Sequence, residues 1–108
     1  MAGVSISSLS TQYILVPVRA QSMGLPYNPT GLTVEMAFID GWAEPGSGDW
    51  NAASWASTST VNGAYLAQCL VGPEGTITLA IGAYQTWVRI TGSPEIPVIA
   101  TGTTTITP

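Results

Sequence analysis

The residue types that carry most enzyme chemistry are nearly absent from this chain. The sequence has no histidine and no lysine, and its two cations are Arg19 and Arg89. Histidine is the usual general base and nitrogen metal ligand, and serine or cysteine nucleophiles depend on a neighbouring base for activation. The single thiol, Cys69, lies in the apolar run AYLAQCLV, which predicts a small buried side chain and not a reactive group. We therefore expect a protein that is not an enzyme.

Carboxylates offer one remaining route to ion binding. Asp40, Glu44 and Asp49 fall in the glycine-rich segment IDGWAEPGSGDW, and hard oxygen ligands on such a segment suit calcium. Their spacing matches no recognised calcium loop, so we interpret them as solvated charges. The sequence predicts neither a metal site nor a cofactor.

Three tryptophans cluster around the same segment. Trp42, Trp50 and Trp55 lie close to Asn51, and such a mixture of aromatic and polar groups can stack on a sugar ring. Tryptophans in a short loop more often anchor an interface or a core. We predict that these three are interface residues, with carbohydrate binding as the alternative.

Arg89 is expected to have a fixed structural task because cations are so scarce. It is placed mid-strand beside Trp87, with Glu95 as the nearest carboxylate in sequence and Glu35 as the alternative partner. An ion pair with either one is predicted, and a solvated arginine stacked on Trp87 is the competing interpretation.

Tyr84 is a second predicted structural residue. It follows Gly82 in LAIGAYQTW, and Gly-x-Tyr at the opening of a late strand is typical of a tyrosine corner, in which the hydroxyl bonds back to the preceding crossover. An ordinary core tyrosine after a turn glycine is the alternative interpretation.

Alternation of apolar and polar residues predicts that strands position these side chains. Ile14, Val16 and Val18 share one side of the first strand. Because proline cannot donate to a ladder, Pro17 predicts that this strand lies at a sheet edge or carries a bulge. Further strands are predicted at 32–40, near 50–56, and at 83–91. The predicted core comprises Leu32, Val34, Met36, Phe38, Ile77, Leu79, Tyr84, Val88 and Ile90.

Glycine- and proline-rich turns separate the predicted strands, and no window has amphipathic helical periodicity. GPEG at 72–75 is expected to join AYLAQCLV and TITLAIG as a hairpin. The sequence therefore predicts an all-β fold, an immunoglobulin-like antiparallel β-sandwich of seven or eight strands. Residues 13–108 form the single domain, after an N-terminal arm at 1–12. Both termini are expected to be disordered in isolation, and at least one is expected to add to the sheet edge of a neighbour in an assembly.

Composition limits the classes of partner. Only 7% of the residues are charged and the net charge is −4, so the chain lacks the basic surface that nucleic acid requires. No apolar run is long enough to cross a membrane, and the start MAGVSISSLSTQ lacks the features of an export signal. A surface rich in uncharged polar residues suits burial against other subunits, because such groups have a smaller desolvation cost than ions. A stable extracellular module has a similar composition.

Several motifs resemble those of small virion proteins of tailed bacteriophages, especially phages of actinobacteria. They are VPV at 16–18, NPTGLTVEMAF at 28–38, the spaced tryptophans of GDWNAASW, LVGPEG at 70–75 and GAYQTWVRITGSPEIPV at 82–98. The chain is also similar to the immunoglobulin-like N-terminal module of phage baseplate upper proteins, in which a similar strand order ends in a PE-x-P stretch.

This resemblance implies a non-enzymatic structural part of a virion, made in the bacterial host cytoplasm and present in many copies. It implies no cofactor and no catalytic residues. The partners it implies are other virion proteins, such as major capsid or connector subunits, and further copies of the chain in a homo-oligomer. Because the sequence has no coiled-coil or fibre extension, a minor capsid, decoration or head–tail connector protein is expected in preference to a receptor-binding organiser. The alternative function is a carbohydrate-binding adhesion module on the virion surface.

Overall fold

The computed structural model describes residues 3–18, 21–22, 25–26, 29–41, 43–56, 64–92, 96 and 98–108. These residues form strands and turns but no helix, so the described part of the chain contains no helix that could cross a membrane. The strands are β1 (Gly3–Ser7), β2 (Gln12–Val18), β3 (Gln21–Ser22), β4 (Leu25–Pro26), β5 (Thr33–Asp40), β6 (Asn51–Ala52), β7 (Ser54–Trp55), β8 (Tyr65–Val71), β9 (Gly82–Thr91) and β10 (Val98–Thr107).

Two main sheets enclose the core. The first has five strands in the order β1-β10-β9-β5-β6, and the second has three in the order β2-β8-β7, while β3 and β4 pair with each other. The buried side chains of both sheets form one apolar cluster between them. The all-β prediction is confirmed. The described residues form ten strands where seven or eight were predicted, and β1 pairs with β10 in parallel although an antiparallel fold was expected.

The faces of β5 and β9 follow the alternation of the sequence. The predicted core residues Val34, Met36, Phe38, Val88 and Ile90 are buried. The other four predicted core residues are half-buried and pack against this cluster. The two strands are neighbours in the first sheet, in antiparallel register. The predicted inner faces are therefore confirmed.

β2 lies at an edge of the second sheet, as its proline predicted. Ile14, Val16 and Val18 point into the core, and Pro17 on the opposite face is exposed. β8 is the one described neighbour of β2, and the register places Ile14 opposite Cys69. Edge placement leaves the missing N–H of a proline without consequence for the sheet interior.

The predicted hairpin at 64–82 is wrong. β8 is present, but the residues after GPEG form only an isolated bridge between Val71 and Ile77, and that bridge is parallel. The Gly72 N–H donates to the Ile77 carbonyl at 2.9 Å, and the Thr76 N–H donates to the Leu70 carbonyl at 2.8 Å. The chain therefore folds back on the end of β8 as a compact loop before it crosses to β9.

The strand predicted near 50–56 is two short strands in different sheets. β6 pairs with β5 in the first sheet, and β7 pairs with β8 in the second. The chain changes sheets at Ala53, whose N–H still donates to the Val34 carbonyl at 3.2 Å. This crossing links the two layers at one edge of the core.

Strands are present at Gly3–Ser7 and Val98–Thr107, where the ends of the chain were predicted to be disordered. Within the predicted arm at 1–12, β1 pairs with the C-terminal half of β10, from Gly3 opposite Thr103 to Ser7 opposite Thr107. Ile6 of β1 and Ile106 of β10 are buried in the common core. β1 is thus an edge strand of the first sheet.

Candidate functional site

The outer face of the first sheet carries the ion pair predicted for Arg89. The register places Arg89 directly opposite Glu35 on the neighbouring strand. The Arg89 Nε and Nη2 atoms both donate to Glu35 Oε1, at 3.1 and 2.7 Å. Both side chains are partly exposed, at 29% and 25%. The structure thus pairs Arg89 with the alternative partner, and Glu95, the first choice from sequence, lies outside the described residues.

Trp50 covers the guanidinium of this pair. The Arg89 Cζ atom lies 4.5 Å from the centre of the Trp50 ring. Trp50 is held there by its neighbour Asn51, whose amide donates to the Met36 carbonyl at 3.2 Å and to the Asp49 carbonyl at 3.1 Å. Arg89 therefore stacks on Trp50, whereas the competing interpretation placed it on Trp87, and one face of the Trp50 ring is occupied within the chain.

Trp55, another of the predicted interface tryptophans, packs inside the domain. Trp55 is half-buried against the core, and its Nε1 donates to the Leu32 carbonyl at 3.0 Å. Trp42 lies outside the described residues. Trp87, which was not predicted as a site residue, has a buried Nε1 with no hydrogen-bond acceptor in the described part of the chain. Trp50 and Trp55 therefore contribute internal contacts as well as partly exposed surface.

Tyr84 lies near the start of β9. Its hydroxyl donates to the Ala80 carbonyl at 2.8 Å, four residues earlier in the chain. This bond ties the start of β9 to the segment before it, and it is the backward hydroxyl bond that the sequence predicted for Tyr84.

The three loop carboxylates do not converge. Asp40 and Glu44 are exposed, and Asp49 closes a turn by accepting the Gly46 N–H at 2.7 Å. Among the described residues no three acidic, cysteine or histidine side chains are close enough together to hold a metal ion. Cys69 is buried as predicted, and burial raises the pKa of its thiol to about 11. At neutral pH this thiol is therefore protonated and shielded.

A cleft of about 430 Å³ opens between β2, at the edge of the second sheet, and residues 99–104 of β10, next to the edge strand β1 of the first sheet. Exposed apolar residues border it: Leu15 is 44% exposed and Ile99 is 41% exposed. Its lining is apolar apart from threonine hydroxyls and main-chain groups, and consists of Val4, Ile14, Leu15, Val16, Pro17, Thr86, Ile99, Ala100, Thr101, Gly102, Thr103 and Thr104. Sequence reasoning missed this cleft, because alternation identifies the inner faces of strands but not where two sheets separate.

Two buried threonines lie in the lining of the cleft. Thr86 and Thr104 are on the inner face of the first sheet, and their Oγ1 atoms are 2.8 Å apart. The Thr101 hydroxyl donates to the Thr86 carbonyl at 3.2 Å. The sequence carries one signal of this arrangement, since Thr86 occupies an inward position between Tyr84 and Val88, where an apolar residue is expected. A polar residue at such a position requires a partner.

Comparison of the chain with protein-family models, with curated proteins and with solved structures gives no match. The functional argument therefore depends on the sequence and on the geometry described above.

Proposed function

We propose that this chain is a non-enzymatic structural subunit of a tailed-phage virion, a minor capsid, decoration or head–tail connector component that packs against other virion proteins. The observation that carries the proposal is the open apolar side of the molecule, where exposed Leu15 and Ile99 flank the cleft between β2 and β10. Large apolar side chains at an uncovered sheet edge are typical of a surface that is buried in an assembly.

The proposed fold is an immunoglobulin-like sandwich, and the strand order supports it. In that fold one sheet contains strands G, F, C and C′ in this order, and the other contains B, E and D. β10-β9-β5-β6 and β2-β8-β7 follow the same two orders. The bond from Tyr84 to Ala80 at the start of the F-like strand β9 also fits. Immunoglobulin-like sandwiches serve many unrelated functions, so the fold alone does not decide the role.

The chemistry of the surface supports a role in assembly. With a charged fraction of 7%, little of the surface carries ions, and charged residues are depleted in the buried centres of protein interfaces. Catalysis has little support, because histidine and lysine are absent from the sequence and the one thiol is buried and protonated. The phage-like motifs of the sequence direct the proposal to a virion.

The test is incorporation into particles of the phage that encodes the chain. We expect the chain to co-purify with intact virions in a fixed stoichiometry, measured by quantitative mass spectrometry of density-purified particles. Leu15→Asp and Ile99→Asp, supplied in place of the parent chain, should each reduce incorporation by about tenfold or more, which corresponds to roughly 1.4 kcal/mol of binding.

Ile81→Asp is the matched control, since Ile81 is 60% exposed and does not line the cleft. This variant should incorporate like the parent, and circular dichroism should show that all three variants are folded. A chain that is absent from purified particles contradicts the virion role. Equal incorporation of all variants contradicts the role of the cleft side as the contact surface.

A further inference from the structure

Among the described residues, β1 pairs with only the C-terminal half of β10. β1 occupies the edge from Thr103 to Thr107, and no strand in the described part of the chain pairs with residues 98–102 on that side. The register of β10 against β9 shifts between Ala100 and Gly102, so a bulge separates the two halves. The unpaired half borders the cleft. Its free main-chain groups are a template for another strand.

The two buried threonine hydroxyls have two protons between them, and the hydrogen bond that joins them leaves one proton without an acceptor among the residues that the structure describes. Thr86 and Thr104 each have one hydroxyl proton, and the single bond between their oxygens uses only one of the two. The described residues provide no acceptor for the other proton. Because both side chains are at least 98% buried and line the cleft, an acceptor that enters the cleft can satisfy it.

The occupant of the cleft must be uncharged where it contacts these walls. The described residues of the lining include no acidic or basic side chain, and an ion placed beside them would lose hydration without gaining a counter-charge from them. β1 shows what this edge accepts: an uncharged strand, GVSIS, that directs Val4 and Ile6 toward the core.

We propose that the cleft is an acceptor groove for an extended, uncharged polypeptide segment of a neighbouring subunit, which adds as a strand beside residues 98–102 of β10 and inserts apolar side chains between the sheets. The assignment of the neighbour to a virion rests on the proposed function. A polypeptide fits better than a lipid or a sugar, because its backbone supplies donors and acceptors in register with β10 and a carbonyl for the threonine proton. We assign the added strand to β10 and not to β2, because Pro17 has no N–H and β2 therefore offers one hydrogen-bond donor fewer.

Disulfide capture tests the groove directly. The chain carrying Ala100→Cys is mixed with the acetylated and amidated peptide Thr-Val-Thr-Cys-Thr-Val-Thr under mild oxidation. Cys69 contributes little background, because its thiol is buried. We expect capture at position 100 to be about tenfold faster than at position 81 in an Ile81→Cys control, and bound peptide should protect the amides of residues 98–102 from hydrogen exchange.

A peptide with lysine in place of both valines is the stringent control. The net charge of −4 attracts this peptide, so slower capture of it than of the valine peptide cannot come from charge. Adding both Thr86→Val and Thr104→Val to the Ala100→Cys chain removes the unsatisfied proton and should slow capture by roughly two- to tenfold, the effect of one neutral hydrogen bond, whereas the pair Thr86→Ser and Thr104→Ser should not.

Equal capture at positions 100 and 81, equal capture of the two peptides, or capture without amide protection overturns the acceptor groove. These outcomes are independent of the phage experiment. If the peptide is captured as expected but the chain is absent from virions, the groove stands and the proposed virion role fails.

Discussion

At the scale of single residues, Arg89 connects three parts of the first sheet through one guanidinium. It contacts Glu35 on β5 by two hydrogen bonds and the ring of Trp50 just before β6 by stacking. The pair is roughly three-quarters buried, which reduces screening by water without removing either ion from solvent. Its main effect is to fix the position of the loop that precedes β6.

The ion pair predicts a measurable coupling between Arg89 and Glu35. In a double-mutant cycle with Arg89→Gln and Glu35→Gln, urea unfolding should give a coupling energy of about 0.5–1 kcal/mol, in the upper range for partly exposed pairs. A parallel cycle between Arg89 and Glu74 is the control and should give no coupling energy, because Glu74 lies in a different part of the molecule, where its N–H donates to Thr11. A coupling of zero between Arg89 and Glu35 would mean that the pair does not stabilise the fold.

The core predicts a large cost for truncation of Phe38. Phe38 is buried between the sheets, so Phe38→Ala should reduce the free energy of unfolding by about 3–5 kcal/mol, through lost apolar burial and a residual cavity. Ile81→Ala, at an exposed position, should change it by less than about 0.5 kcal/mol. Urea denaturation of both variants measures the difference, and equal midpoints would show that Phe38 does not belong to the core.

At the scale of elements, the loop after β8 depends on a glycine. Gly72 has a φ of +142°, and a Cβ at this position would collide with the backbone of Ser10 and Thr11. Its N–H bond to Ile77 closes the loop. The conformation and the close approach therefore both require glycine, and through them the loop is packed against the connection between β1 and β2.

We expect Gly72→Ala to destabilise the protein by about 1–3 kcal/mol, since the left-handed backbone and the backbone contact both oppose a side chain. Gly48→Ala is the matched control, because no atom lies within 4 Å of its added Cβ. That change should be neutral or slightly stabilising. Thermal melts of both variants test this, and a Gly72→Ala melt like that of the parent would show that the loop adapts freely.

Alternation in the sequence predicts the inner faces of β2, β5 and β9 because burial acts on every second residue of a strand. Alternation contains no information on which strands are neighbours in a sheet. Glu35 and Glu95 were therefore both possible ion-pair partners of Arg89, and the register of β5 against β9 decides for Glu35. The turn residues of GPEG favoured a hairpin, but the conformation of Gly72 directs the chain into a loop instead. The change of sheet at Ala53 depends on long-range pairing and leaves no local signal.

At the scale of the whole molecule, the two sides of the first sheet end in different edge strands. β6 ends one side of the first sheet, and β1 covers half of β10 on the other side, next to the cleft. The inner residues of β1 complete the core, because Ile6 packs in the same cluster as Ile106. β1 therefore both stabilises the fold and limits the length of β10 that is open to another chain.

Removal of residues 1–7 tests this double role. The truncated chain loses the burial of Ile6 and part of that of Val4, at roughly 1.5–3 kcal/mol for a fully buried side chain, so its free energy of unfolding should fall by about 2–4 kcal/mol. It should also associate with itself as concentration rises, because the whole edge of β10 is then unpaired. Ser5→Asp, at an exposed position of β1, should leave the chain folded and monomeric. Urea denaturation and size-exclusion chromatography with light scattering measure the two effects. A truncated chain with the stability and mass of the parent would mean that β1 is a dispensable arm, and that the domain begins near residue 13, as the sequence indicated.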